Sequence, residues 1–229
     1  MCNKTFAVAG ISLSQLKIVY FLTGIVFIMM AANYVLALVI PQAAGGSVVS
    51  NGNVFMMLPI FAAIFIPAEH TRKMLHLGAK RHDFFLGAVP VYALLCAVSS
   101  LVMFFFYYTI DKMMLTHLDE VLDVMVAFRF ITRGPVVAFV QMFAFMMLFS
   151  AFVHTLTAAQ DKWYGWVADF MVIAIISVFT PIAPLRASLV WFFNLIIFHS
   201  NAWLQIIACL VLASLIYMLN RLIIARKVI

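Results

Sequence analysis

Apolar residues run along this chain in long unbroken blocks separated by short polar clusters. Six blocks stand out: Ile18–Ile40, Val54–Ala68, Phe84–Ile110, Val136–Ala159, Trp163–Ala183 and Ala202–Ile224. A helix needs about 20 apolar residues to cross a ~30 Å hydrocarbon core, so each block reads as a membrane span. The second is short by itself and borrows from Ser47–Asn53, which starts it near residue 48. The third carries no charge over 27 residues. It would be about 40 Å long at ~1.5 Å per residue, and must tilt or project from the bilayer. A membrane barrel would instead need alternating strands of ~10 residues. Runs such as "MVIAIISVFT" do not alternate. The pattern predicts an all-α, polytopic membrane protein: one domain over residues 1–229, built as a six-helix bundle.

Composition agrees. The 229 residues are 67% hydrophobic and only 10% charged, whereas soluble domains carry about 25% charged residues. There is too little polar surface to coat a particle in water. The first block follows Lys4 and Lys17 and precedes "IPQAAGGS", which looks like a cleavable leader. Its 23 residues exceed the ~7–15 of a signal-peptide core, so it reads as an uncleaved span.

Charge sets the expected orientation, because Lys and Arg collect on the cytoplasmic side of short loops. With the N-terminus inside, that side holds Lys4, Lys17, Arg72, Lys73, Lys80, Arg81, Lys162, Arg221, Arg226 and Lys227. Only Lys112, Arg129, Arg133 and Arg186 lie on the other. Both termini are therefore expected in the cytoplasm. The net charge of +6 then reflects membrane asymmetry, not a nucleic-acid footprint. Cys96 and Cys209 lie in apolar spans and Cys2 is cytoplasmic, so free thiols are expected.

Between the spans, Gly45-Gly46 and Asn51-Gly52-Asn53 mark an external turn, and Pro59, Pro90, Pro181 and Pro184 fall in or beside spans, where they can kink helices. No internal repeat is visible. Asp111–Arg133 gathers Asp111, Asp119, Glu120 and Asp123. On a helix Asp119 and Asp123 would share a face, giving an acidic external vestibule or, more simply, a solvated loop helix. Pro184–Asn201 has an apolar centre of ten residues, Leu189–Phe198, which is too short to span. It suits a re-entrant or interfacial segment with Trp191 and Trp203 at headgroup level.

The search for chemistry is mostly negative. The chain has no GxxxxGK[ST], HExxH, GxSxG or paired CxxC. His70, His76 and His82 recur every six residues, about 240° of helical turn per step at the α-helical ~3.6 residues per turn. They would point three ways, so a basic face is expected rather than a zinc site. Charge inside a span is the default pointer to function in membranes. That rule selects Asp169 and His154 as pathway candidates, with Lys162 the sequence-near partner of Asp169. Gln141, His199 and Asn194 are weaker cases that also serve as helix-packing glue.

The most charged element is "PAEHTRKMLHLGAKRHDFFLGAV", after the second span. Held between two spans, it can lie on anionic lipid or dock in a protein groove. Here the chain resembles the permease subunits of the ABC type-2 exporter family, in particular small six-span members from Gram-positive bacteria. These carry a segment like LxLGxSRKxFFxG, matched by Leu75, Leu77, Gly78, Arg81, Phe84, Phe85 and Gly87. Glu69 and Arg72 sit where such proteins have the charged start of the loop; Lys80 replaces the usual Ser and His82 a basic Lys. The resemblance implies a coupling helix formed by Glu69, Arg72, Lys73, Leu75, Leu77, Gly78, Lys80, Arg81, Asp83 and Phe84. It also implies ATPase subunits as partners, holding ATP and Mg on their own chains, and a second permease, identical or related. It implies a re-entrant segment between spans five and six, and export of an amphipathic peptide, antimicrobial or lipid-like substrate. No cofactor or nucleic acid is expected on this chain. Two alternatives stay open: an ATP-independent membrane immunity or sensor protein, and an intramembrane enzyme in which Asp169, His154 and His199 meet around one cavity.

Overall fold

The structure, a computed structural model, describes residues 2–39, 47–115, 120–160 and 162–225. Ile40, Gly45-Gly46, Asp119, Arg226 and Lys227 lie outside the described residues. The chain opens with α1 (Cys2–Gln15) and α2 (Lys17–Val39). After β1 (Ser47–Val49) and a 3-10 turn over Asn51–Met56, α3 (Met57–Phe65) runs through a π-helical turn, Ile66–His70, into α4 (Thr71–His76). Helix α5 (Arg81–Phe106) continues through a second π turn, Tyr107–Asp111, into α6 (Lys112–Met114). Then come β2 (Glu120–Leu122), α7 (Val124–Ala127) and a 3-10 turn, Phe130–Arg133. The chain closes with α8 (Pro135–Ala159), α9 (Trp163–Phe179), α10 (Ala183–Phe193), a π turn over Asn194–Phe198, and α11 (Ala202–Ala225).

Five of these stretches are long and apolar enough to cross a membrane: Lys17–Ala37, Asn51–His70, Arg81–Met114, Pro135–Ala159 and Ala202–Ile223. A sixth is reached if α9 and α10 with its π turn, bent by 116° at their junction, count as one. The third stretch is 34 residues long, longer than its apolar block, because Lys80 caps it in an extended conformation and Asp83 sits in its positive first turn. We call the end that carries residues 70–82 the loop end, and the end that carries β1 and β2 the sheet end.

Packing centres on α8. It meets α11 and α5 in one core that includes Cys96, Met142, Phe145, Ile206 and Cys209. Lipid supplies no hydrophobic drive between helices, so close approach rests on small side chains such as Ala138, Ala144, Ala151 and Ala213. A second core joins α1, α3 and α5 through Val8, Leu16, Ala62, Ile66, Phe84 and Tyr92. Cys96 and Cys209 are buried free thiols.

Three features depart from the expectations above. Helix α1, too short and too mixed to register as a span, docks on α5 where Gly87 leaves room for it. A Cβ at Gly87 would lie 2.8 Å from Val8 Cγ1 and 3.1 Å from the Thr5 carbonyl oxygen. The second span does borrow from Ser47–Asn53, running Asn51–His70, but it takes only the 3-10 turn that starts at Asn51, and residues 47–49 form β1 instead. And the described part of 111–133 is not one helix, while Asp119 itself lies outside the described residues. Residues 120–122 instead pair in parallel with β1, Ser47 opposite Glu120 and Val49 opposite Leu122, and Asp123 begins α7.

Candidate functional site

At the loop end, α3, the π turn and α4 form one continuous helical lever that stops abruptly. The stop is a Schellman motif: Ala79 N–H donates to the Met74 carbonyl and Gly78 N–H to the Leu75 carbonyl, both at 3.0 Å. Gly78 adopts φ +83°, which side-chain-bearing residues rarely take. Met74, 1% exposed, anchors the turn in the second core, while Leu77, three residues on, stands 71% exposed at the tip. Glu69 and Lys73, one turn apart, pair at 3.2 Å on the solvent face. Of the expected coupling set, Glu69, Lys73, Leu77, Gly78 and Lys80 are exposed, and Leu75 and Arg81 are half-buried. Arg72 lies on α4. Asp83 (8% exposed) and Phe84 (1%) belong to the buried wall of α5 rather than to the accessible tip. His70 is buried whereas His76 and His82 are exposed, and among the described residues no three metal-ligating side chains converge.

The pathway candidates do not come together. His154, fully buried on α8, has Nδ1 2.5 Å from the Tyr92 hydroxyl and its ring 5.4 Å from that of Tyr217. Gln141, also on α8, donates from Nε2 to Gln205 Oε1, and Gln205 donates onward to the Ile196 carbonyl at 2.9 Å. Asp169 on α9 accepts from Gln160 Nε2 at 2.6 Å, so the partner expected in Lys162 is replaced by the residue that caps the end of α8. That pairing is possible because Gly165 lets α9 fold tightly back on α8; a Cβ there would lie 2.4 Å from the Ala159 carbonyl oxygen. His199 lies near the sheet end, where its carbonyl accepts from Arg133 and its Nδ1 from Asn201 N–H. Asn194 opens the last π turn. The shared cavity required for an Asp169–His154–His199 enzyme is therefore not formed by these partners.

Sequence reasoning missed Tyr92, Tyr217 and Gln205. A tyrosine inside an apolar block reads as filler, yet its hydroxyl needs a partner once buried far from either headgroup level. Tyr217 meets that need by donating to the Phe85 carbonyl at 3.0 Å.

At the sheet end Asp111 and Asp123 do not face water, while Glu120 is exposed. Asp111 is 1% and Asp123 3% exposed. Asp111 accepts from Tyr34 at 2.5 Å and from Ser50 at 2.6 Å, tying α2, the β1 turn and the end of α5 together. Asp123 Oδ1 accepts from Met125 N–H at 2.6 Å, whereas no donor reaches its Oδ2. Asn53 bridges the same region, donating to the Leu122 carbonyl and accepting from Val124 N–H. Burial, then hydrogen bonding and charge from Asp111, push the Asp123 carboxyl up to about 7, against the pull of the Met125 and Val126 amides. The two carboxyls are thus placed to share a proton, which supplies the donor that Oδ2 lacks.

No family model, curated protein or solved structure matches this chain.

Proposed function

We propose that this chain is the membrane permease subunit of an ATP-driven exporter, worked from the loop end by separate ATPase subunits. What supports the reading is the lever at residues 66–80. Its helix continues a span without a break, its end is fastened by two backbone hydrogen bonds, and its tip presents Leu77 with Glu69, Lys73 and Lys80 around it. A partner that grips such a tip moves α3 and α5 together, because both are continuous with the turn. The bundle then responds as a two-state interface and no catalytic residue is needed on this chain. In this reading both termini and the tip are cytoplasmic, and the bent α9–α10 pair is the re-entrant element before the last span. The substrate is an amphipathic peptide, antimicrobial or lipid-like molecule, and the permease works as a pair with itself or a relative.

The test is co-purification of the tagged chain with a Walker-motif ATPase encoded beside it, followed by ATPase assays in proteoliposomes. Leu77→Asp and Gly78→Pro are expected to abolish substrate-stimulated hydrolysis while leaving basal ATPase turnover unchanged. Unaltered stimulation in both variants, or the absence of any ATPase in the native complex, overturns the proposal.

A further inference from the structure

Two carboxyl groups meet at the sheet end, and among the described residues neither has an ion pair. Asp111, 1% exposed, closes the π turn that extends α5, and Asp123, 3% exposed, stands between β2 and α7. Hydroxyls occupy both oxygens of Asp111, Tyr34 at 2.5 Å and Ser50 at 2.6 Å. On Asp123, Oδ1 accepts from Met125 N–H at 2.6 Å and no donor reaches Oδ2, while the carboxyl lies within hydrogen-bonding reach of Asp111. The charged and titratable neighbours are few. Tyr34 reaches the pair from α2 and Tyr107 from the π turn. Lys112, which follows Asp111, is turned over the rings of Tyr107 and Tyr108, 4.7 Å from the second centroid. Glu120 on β2 and Arg129 beyond α7 are exposed, and Arg133 donates to the His199 carbonyl. The β1 turn and α7 bring no titratable group. Two negative charges this close, and this far from water, repel strongly, so the pair holds together by keeping one proton.

The two members are unequally held. Asp111 continues a 26-residue helix and is gripped by hydroxyls from α2 and from the β1 turn. Asp123 follows a strand of three residues whose one partner is the equally short β1. A two-stranded sheet is marginal by itself. Here it rests on a few contacts: the Leu122 carbonyl accepts from Ser50 N–H at 2.9 Å and from Asn53 Nδ2 at 2.8 Å. Val121, 7% exposed, plugs a small core with Tyr34, Ala37 and Met114. Beyond Asp123, α7 and the turn after it are fixed by Met125 and Phe130, both fully buried in the main core. When the pair loses its proton, β2 is therefore the piece that can lift, with α5 and α7 left in their seats.

We propose that the Asp111–Asp123 pair is a proton-held latch: with one proton it keeps β2 on β1, and without it β2 is released and Val121 uncovered. The latch reads the pH on the side of the membrane that the sheet end faces. It stands apart from the transport reading, since it requires no ATPase and no substrate. The direction follows from linkage. The Asp123 carboxyl titrates at about 7 with the latch shut, and near the ordinary aspartate value of about 4 once released to water. Between those values the released form binds fewer protons, so its share grows by up to about tenfold per pH unit and levels off above them.

The full chain in nanodiscs is treated with a thiol reagent, once as Val121→Cys and once as Leu122→Cys, whose position is exposed and corrects for the reactivity of the thiol at each pH. The ratio of the two labelling rates should rise by up to about a hundredfold from pH 5 to pH 7 and change little from pH 7 to pH 8. Cys96 and Cys209, buried in the main core, should stay unlabelled over the same interval, which separates release of β2 from unfolding of the bundle. Adding Asp123→Asn to Val121→Cys should hold the ratio at its low, acid value throughout. Hydrogen exchange of the wild-type chain, corrected for the intrinsic rate at each pH, gives a readout that does not depend on any variant folding. Protection of residues 47–53 and 120–123 should fall by the same factor over the same range. A labelling ratio or a wild-type protection indifferent to pH, an Asn variant that still opens, or labelling of Cys96 and Cys209 in step with residue 121 overturns the proposal.

Discussion

Asp123→Asn tests the buried carboxyl pair at the sheet end. The Asp123 carboxyl rises from an ordinary value near 4 to about 7 on folding. A group whose folded pKa is raised binds more protons when folded, so stability falls as pH rises between those two values and is level above them. Three units at ~1.36 kcal/mol each set a ceiling of about 4 kcal/mol; sharing one proton with Asp111 brings the expectation to about 2–4 kcal/mol. Asparagine keeps the acceptor for Met125 N–H, offers Asp111 a permanent donor and removes the titration. Thermal unfolding in nanodiscs between pH 5 and 8.5 reads the effect. Only the two units above pH 5 fall within this range, about 2–3 kcal/mol, so at about 2–4 °C per kcal/mol for a chain of this size the wild-type Tm should drop by roughly 4–12 °C from pH 5 to pH 8, and Asp123→Asn should hold its value across the range. A wild-type Tm that is flat or rises with pH, or an Asn variant less stable than wild type at pH 8, refutes the reasoning.

Gly165→Ala forces a Cβ against the Ala159 carbonyl oxygen and should cost about 1–3 kcal/mol, read as a lower Tm together with faster proteolysis between α8 and α9. Gly87→Val should displace α1 from α5, exposing residues 2–15 to protease while the span helices remain protected by hydrogen exchange. Tyr92→Phe removes the hydroxyl facing His154 in a buried site and should lower stability by about 1–3 kcal/mol; a Tm unchanged from wild type would mean that the contact contributes nothing.

The charged loop shows how far sequence reading reaches. Its place and its charge were legible, whereas the Schellman stop that requires Gly78 emerged from the structure. What was not legible was that Asp83 and Phe84 turn inward, since that depends on α1 and α3 packing against α5. The acidic stretch shows the opposite balance. Local spacing invited a helical reading around Asp123, yet residues 120–122 pair with a strand at 47–49 and Asp123 begins α7 only after it.

The sequence by itself determined that the solvent is lipid and where the apolar stretches begin and end, because those depend on run length against a hydrocarbon thickness. It also determined that charge gathers at one loop. Tertiary structure alone decided which polar groups meet: Tyr92 with His154, Gln141 with Gln205, Tyr34 and Ser50 with Asp111. Each of those pairs joins residues some 60 or more apart in the chain. In an apolar bundle a buried polar group takes whichever partner helix packing brings within reach, and no periodicity along one helix encodes that choice.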